Sequence, residues 1–561
     1  RVKMDRSATK YTEKFYASTF TQLTESSQNG LYGISEMTDR QIYADFLVNI
    51  NKRFGTDWSL QVNLGTSISD MYYDALKNRG PIADGQMSAE RAGIANVFNV
   101  QNLSNSTKTT RLQEGWREQT QSIFGSAELG YKGAYYLTLT ARNDWPSQLA
   151  GPHSNRKSFF YPSIGGSIVL SQIIPNMPKE LEYLKIRGSY ASVGTAFERY
   201  IANPLYRWNA SGLSWNTQTQ YPVYNLKPEL TNSFEIGLSM RFLHYFNLDA
   251  TYYHTNTKNQ TFNPQISTGS GSSDIFIQSG DVRNQGLELT LGFSNTWNKF
   301  TWNSNYTFSF NENKVMSLAD NVTNPATGET FSVSQLDMNG LGLADFILRE
   351  GGSLGDLYSL GDFNYDSNGR IIVNEDGTVT TRTFSDTKDY VKLGSVLPKS
   401  NMSWRNDFSI AGFNFGFLIT ARIGGIVYSS TQAILDYYGV SEASALARDN
   451  GGVFLNGGDK LDANKWYSSV GGSNPLPQEY TYSGTNVRLQ EASIGYTFPR
   501  KMLGNVCDLS LSIVGRNLWM IYNKAPFDPE SIATTGNYYQ GIDHFMMPSL
   551  RNFGFNVRIT F

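Results

Sequence analysis

"RNFGFNVRITF" occupies residues 551–561. In steps of two, Phe553, Phe555, Val557, Ile559 and Phe561 share one register, and Asn552, Gly554, Asn556, Arg558 and Thr560 share the other. Successive side chains of a strand point to opposite faces, so this is the strand period with one wholly apolar face. A terminus in water usually frays. One that keeps its alternation and closes on an aromatic needs an apolar surrounding on one side.

The pattern recurs along the whole chain. Ile42, Ala44, Phe46, Val48 and Ile50 interleave with Tyr43, Asp45, Asn49 and Asn51, and Trp58, Leu60, Val62 and Leu64 interleave with Ser59, Gln61 and Asn63. Leu184 and Ile186 oppose Lys185 and Arg187; Leu287, Leu289, Leu291 and Phe293 oppose Glu288 and Thr290. Charges keep to the polar register, as they must if the apolar face meets lipid, where a basic residue at mid-bilayer costs about 2–4 kcal/mol. The segments run to about ten residues or more, beyond the ~5–6 of an ordinary soluble strand and enough to cross a bilayer at a tilt.

Composition excludes other classes. A net charge of -2 over 561 residues gives no basic stripe for nucleic acid. The single Cys507 rules out an internal disulfide and argues against structural zinc. No apolar run reaches the ~18 residues of a transmembrane helix. "RVKMDR" (1–6) carries no initiator Met or signal peptide and reads as a processed or truncated start. His153, His244, His254 and His544 are scattered, and no zinc-protease, nucleophile-elbow or phosphate-loop motif occurs, so an enzyme is not expected.

Connections provide the second test. Short links such as "RFGTD", "GYKG", "LHY" and "IAG" alternate with long ones at roughly 70–117, 193–226, 315–399, 430–484 and 524–549. Outer-membrane barrels have this asymmetry, with tight periplasmic turns and large external loops. Trp58, Tyr135, Trp297 and Phe498 stand beside the short turns, where an aromatic girdle belongs. A soluble propeller would show even loops and a repeat, and neither is present. The expectation is an all-β chain: a transmembrane antiparallel β-barrel portion of about sixteen strands. Lipid cannot satisfy an open sheet edge. Either the sixteen strands close on themselves as a passive porin, or further strands complete the wall, and spacing leaves both open. A structural or adhesive surface barrel is a third reading.

Several stretches resemble the SusC/RagA family of TonB-dependent outer-membrane transporters. They are "NLKPELTNSFEIGLSMRF" (225–242), "LDATYYHTNTKNQ" (248–260), "VRNQGLELTL" (282–291) and "LGSVLPKSNMSW" (393–404), then "FGFLITARIGGIVYSS" (415–430), "NVRLQEASIGYTFP" (486–499) and "GRNLWMIYNKAPFDPE" (515–530), with the closing Phe561. The resemblance implies a barrel of twenty-two strands with a plugged lumen. Residues 1–561 would supply the last sixteen, the C-terminal portion of the barrel, with the plug and first strands outside this chain. It also implies a Gram-negative outer-membrane location, extracellular long loops and a periplasmic C-terminus. The terminal strand would be the signal read by the barrel-assembly machinery. Expected partners are outer-membrane lipid, the TonB complex, a SusD-like surface lipoprotein acting as a lid, and a second copy of that pair as a dimer. The expected cargo is an oligosaccharide first and an oligopeptide second.

Two candidate sites follow. Loop stretches "LYRWNASGLSWN" (205–216), "ILDYYG" (434–439) and "GNYYQGIDHF" (536–545) place Tyr206, Trp208, Trp215, Tyr437, Tyr438, Tyr538, Tyr539 and Asp543 as cargo contacts. Flat aromatic faces cover a sugar ring while carboxamides and carboxylates take its hydroxyls; the alternative is that these aromatics anchor their own loops. "NYDSNGRIIVNE" (364–375) matches an EF-hand-type pattern, with Asn364, Asp366, Asn368, the Arg370 carbonyl and Glu375 as ligands for a structural calcium ion. No cofactor is required. The alternative there is a β-hairpin, because Asn368-Gly369 is a turn signal and Asp376-Gly377 a second.

Overall fold

The computed structural model describes residues 1–21, 24–88, 91–151, 154, 156–201, 207–209, 214–216, 220–221, 226–263, 274–323, 330–534 and 539–561. Sixteen strands form its main sheet: β1 (Val2–Phe15), β2 (Leu31–Phe54), β3 (Trp58–Pro81), β4 (Thr110–Tyr131), β5 (Tyr135–Pro146), β6 (Phe159–Val169), β7 (Leu181–Thr195) and β8 (Glu229–Phe242). Then come β9 (Phe246–Phe262), β10 (Ile277–Trp297), β11 (Phe300–Ser317), β12 (Ser400–Ile410), β13 (Phe413–Ile423), β14 (Asn486–Phe498), β15 (Asp508–Asn523) and β16 (Asn552–Thr560). They lie in chain order, each antiparallel to the next.

Connections alternate as the sequence implies. One end carries the turns 55–57, 132–134, 243–245, 298–299 and 411–412, with 170–180 and 499–507 somewhat longer. The other carries 82–109, 196–228, 318–399, 424–485 and 524–551 among its loops. The expected loop at 70–117 is corrected: β3 and β4 continue pairing out to Arg79↔Thr110. Asp70 takes Arg117 at 2.7 Å and Lys77 pairs with Glu114 across this extension. Charged partners satisfy each other there, so neither face needs the apolar alternation that marks a strand in sequence.

Register assembles a continuous apolar belt on one face. Leu139 stands opposite Ile164, Ile164 opposite Tyr190, and Tyr190 opposite Phe234. Across the later strands, Phe415, Ile494, Ile513 and Phe555 form a second row. These side chains are exposed, Ile494 at 59% and Phe555 at 68%. Water would penalise such a surface by roughly 25 cal/mol per Å2, whereas lipid does not. Trp58, Tyr135 and Trp297 ring the short-turn end, and Trp58–Tyr131, Trp297–Phe300 and Tyr496–Phe498 are in ring contact.

β1 pairs only with β2, and β16 only with β15, so both outer edges of the sheet stand unpaired. Every residue of β16 is exposed.

The main hydrophobic core lies largely in the loops, joined by Phe262, Val282 and Val315 from the loop-end portions of β9, β10 and β11. Gln335–Leu341, Ala344–Arg349, Asp356–Ser359 and Val391–Ser395 form a four-stranded sheet, and Ile426–Ser429 joins Thr481–Ser483 and Ile542–Asp543 in a three-stranded one. Helices α1 (Ser430–Tyr437), α2 (Glu442–Asp449) and α3 (Ala463–Val470) pack with them. Phe346, Leu348, Leu357, Tyr428 and Ala433 are fully buried in their shared core. Each helix has an oxygen N-cap (Ser429, Ser441, Asp462) that accepts an orphan amide of the first turn. Three long connections are thus one packed body seated at the loop end of the sheet.

Candidate functional site

The polar register gives the sheet's second face its chemistry. Arg187 on β7 reaches over β8 to Asp249 on β9 at 2.9 Å and donates to Ser239 and Thr251 at 2.8 and 2.6 Å. Arg405 on β12 holds Asp407 at 2.8 Å and Glu491 on β14 at 3.1 Å, and Arg516 on β15 donates to the same Glu491 at 3.0 Å. These pairs are partly solvated, so each contributes little to stability. Their effect is positional: alternating charges are fixed along one face.

At the loop end of that face, Tyr73 stacks on Trp116 at 5.8 Å between centroids. The Arg199 guanidinium lies 4.0 Å over the same indole and is tied to Glu118 at 2.5 Å. The sequence reading missed this cluster. Its signal was present, since Tyr73 and Trp116 both fall on the polar register, where a large aromatic has no lipid to face.

Tyr206 and Tyr538 lie outside the described residues. Trp208 and Trp215 sit opposite each other in a small hairpin, Arg207–Asn209 against Ser214–Asn216. Tyr437 and Tyr438 end α1 with rings edge-to-face at 5.2 Å, and Tyr438 is 71% exposed. Tyr539 packs edge-on against Phe346 at 6.5 Å. Asp543 requires correction as a cargo contact: it is buried, accepts the Ser429 hydroxyl at 2.6 Å and ties two loops together.

The 364–375 stretch folds as paired turns. Tyr365 bridges Ile371 and Val373 bridges Val379, with Gly369 and Gly377 at positive φ in the two turns. Asp366 Oδ1 accepts the amides of Arg370 at 2.9 Å and Asn368 at 2.8 Å, which hold its carboxyl below the usual range. The Arg370 carbonyl accepts the Asp366 amide and the Asn364 amide donates to Thr380. Glu375 is exposed. Two of the five oxygens assigned to a cation, Asp366 Oδ1 and the Arg370 carbonyl, thus accept backbone amides of the turn itself. Among the described residues, no group of three or more His, Cys, Asp or Glu is placed to hold a metal.

Titration is perturbed in the loop body. Burial, reinforced by Asp337, pushes Asp345 up to about 6. Burial also raises Asp436 against the opposing hydrogen bonds of Ser441 and Gln432. Asp528 is pushed up by burial, but hydrogen bonds from Arg488 and Ser549 together hold it below its ordinary value.

The family described as TonB dependent receptor-like, beta-barrel matches residues 5–425. The chain belongs to that family of outer-membrane TonB-dependent receptors. Its members work with TonB and are transporters and receptors, not enzymes. TonB-dependent receptor P3 of Formosa agariphila is 24% identical over 517 residues, covering 85% of this chain and 49% of that protein. Receptor P39 of the same organism is 22% identical over 580 residues, covering 91% and 52%. The chain therefore spans about half the length of the curated relatives it matches. Among solved structures, the RagAB peptide importer in its closed-closed state aligns over 100% of this chain and 59% of its own, with a TM-score of 0.75 at 16% identity. A second structure of the RagAB peptide transporter gives a TM-score of 0.74 at 16% identity. These likenesses establish the TonB-dependent receptor fold for the sixteen-stranded sheet, whose polar face lines the lumen.

Proposed function

We propose that this chain is the C-terminal part of the barrel of a SusC-like importer, in which a surface lipoprotein lid closes over the loop body and TonB supplies the energy. The reading rests on one observation above all: three long loops fold into a single packed body at one end of the sheet. A pore for passive diffusion needs no such body, and long ordered loops generally carry function. In this reading the loops are extracellular, the short turns and C-terminus periplasmic, and the lidded barrels pair as a dimer. Six further strands, outside this chain, complete the wall between the unpaired edges of β1 and β16, and a plug, also outside it, fills the lumen. A sixteen-stranded porin would instead require those two edges to pair with each other.

Oligosaccharide is the favoured cargo. Exposed loop aromatics such as Tyr438 offer flat faces, and the cluster of Tyr73, Trp116, Arg199 and Glu118 adds polar groups, a combination that suits sugar rings and their hydroxyls. Oligopeptide is the second reading, favoured by the fixed charge pairs of the lumen face, which suit peptide termini. Uptake of labelled oligosaccharides and oligopeptides by cells with and without TonB tests both readings. The expected result is TonB-dependent oligosaccharide uptake that weakens in Trp208→Ala and Trp215→Ala. Uptake that persists without TonB refutes active import, and unchanged affinity for every cargo in both variants refutes the aromatic assignment.

A further inference from the structure

The lipid-facing belt is dented on β6 and β7. On β6 and β7, Gly166 and Gly188 stand directly opposite each other on the apolar face, where their row neighbours are Leu137 and Ile236. The resulting groove has a volume of about 600 Å3. Behind it, on the lumen face, a polar depression of about 330 Å3 is bordered by Glu128, Lys185, Arg187 and Glu235. At this point the wall is backbone alone.

Among the described residues, neither a close contact nor a backbone angle demands these two glycines. Neither has a positive φ. A Cβ at Gly166 would find its nearest atom, the Tyr136 carbonyl oxygen, at 3.8 Å, and one at Gly188 would meet the Glu235 carbonyl oxygen at 3.6 Å, both ordinary contacts. Gly65 shows the contrast: a Cβ there would press on the Phe124 ring at 2.6 Å. Glycine inside a strand weakens it, and it commonly marks close approach of something from outside.

We propose that the groove seats one acyl chain of a membrane phospholipid, with its phosphate at the short-turn rim. The groove is continuous with the belt, so its occupant is apolar. Its rim stands proud of the floor: Ile164 and Tyr190 are each 50% exposed, Ile168 40% and Ile186 41%. A flat helix or sheet of a partner protein cannot reach the floor past that ring, whereas a flexible methylene chain can. At the turn, Trp58 and Tyr131 form an interfacial aromatic pair, and the exposed Lys132 ammonium lies over the Tyr131 ring and 4.0 Å from the Asp57 carboxylate, a long contact that a lipid phosphate would share. Lipid tails are as apolar as the side chains they touch, so the gain is packing contact and not hydrophobic transfer.

The experiment uses the intact protein in nanodiscs of phosphatidylethanolamine and phosphatidylglycerol. Native mass spectrometry after detergent exchange counts retained phospholipid, comparing wild type with Gly166→Leu/Gly188→Leu. The expected result is loss of one bound phospholipid per protein in the variant, with oligomeric mass unchanged. Equal lipid counts overturn the proposal. So does a change in oligomeric mass without lipid loss, which would assign the groove to a protein partner. Should the double variant fail to assemble, wild type alone decides, labelled with phosphatidylethanolamine carrying an acyl-chain diazirine. Adducts enriched on peptides holding Leu137, Ile168 and Ile186 over those holding Ile494 and Ile513 support the seat, and uniform belt labelling overturns it.

Discussion

Replacing Phe346 with alanine removes a fully buried ring from the centre of the loop body. Phe346 sits on the strand Ala344–Arg349, paired with Asp356–Ser359, and one face of its ring meets Tyr539 from the distant 524–551 loop. A buried Phe→Ala change costs about 3–5 kcal/mol through lost transfer energy and the cavity left behind. That is a large part of the ~5–15 kcal/mol that holds a typical domain together. The main sheet is untouched, because Phe346 is on none of its strands. The expected outcome is therefore selective. Limited proteolysis of the assembled protein should nick 318–399 and 524–551 together, while heat-modifiable migration on a denaturing gel still reports an intact barrel. Cargo uptake should fall with loop order. Loops that resist protease as in wild type, or cleavage of 318–399 alone, would refute the claim that these connections share one core.

Ile494→Arg puts a charge on the belt and should block assembly, at about 2–4 kcal/mol near mid-bilayer, whereas Ser493→Arg, one residue away on the lumen face beside Asp407, should assemble normally; equal behaviour by heat-modifiability would invalidate the facing. Asp345 titrates near 6 when folded against 3.8 in the open chain, so its carboxyl binds a proton more tightly in the folded loop body. Stability from this group is complete below the unfolded value and is lost as pH rises through about 6, so Asp345→Asn should stabilise the loop body at neutral pH and flatten its pH dependence in protease resistance. Asp366→Ala removes the acceptor of two turn amides and should loosen 364–372, read as faster hydrogen exchange of the Asn368 and Arg370 amides. Calcium and chelator should leave that exchange unchanged, and calcium-dependent protection would restore the EF-hand-type reading.

Much of the wall was legible because its environment is two-sided. Lipid on one face and lumen on the other force the period seen in 551–561, and tight turns such as 243–245 fix the parity. Legibility ended where that environment ends. Beyond Ile68, β3 pairs through charges and turns no apolar face to lipid, so it read as loop. The loop body was invisible as a unit because its core gathers Phe346, Tyr428, Trp466 and Ile542 from three separate connections. Its helices do leave local marks, an oxygen N-cap at Ser429 and a left-handed Gly439 just past the end of α1, but these carry no strand alternation. At 364–375, one pattern of oxygen side chains served two structures. Backbone amides of the turn engage the Asp366 carboxylate, which the oxygen pattern alone does not reveal. Asp543 read as an exposed loop acid because sequence does not reveal that Ser429 waits for it across the fold.

The central claim is an open sixteen-stranded sheet whose edges are completed by strands other than each other. Paired cysteines in the assembled protein test it most directly, with one at a lumen-face position of β1 (Lys3→Cys, Asp5→Cys and Ser7→Cys in turn), one on the lumen face of β16 (Asn556→Cys), and Cys507→Ser to remove the native thiol. The account predicts no disulfide between those edges under oxidation in the outer membrane, while the control pair Asn556→Cys with Ser512→Cys, directly opposite on β15, cross-links efficiently. Efficient closure between β1 and β16 would make the protein a self-sufficient sixteen-stranded pore and contradict the account.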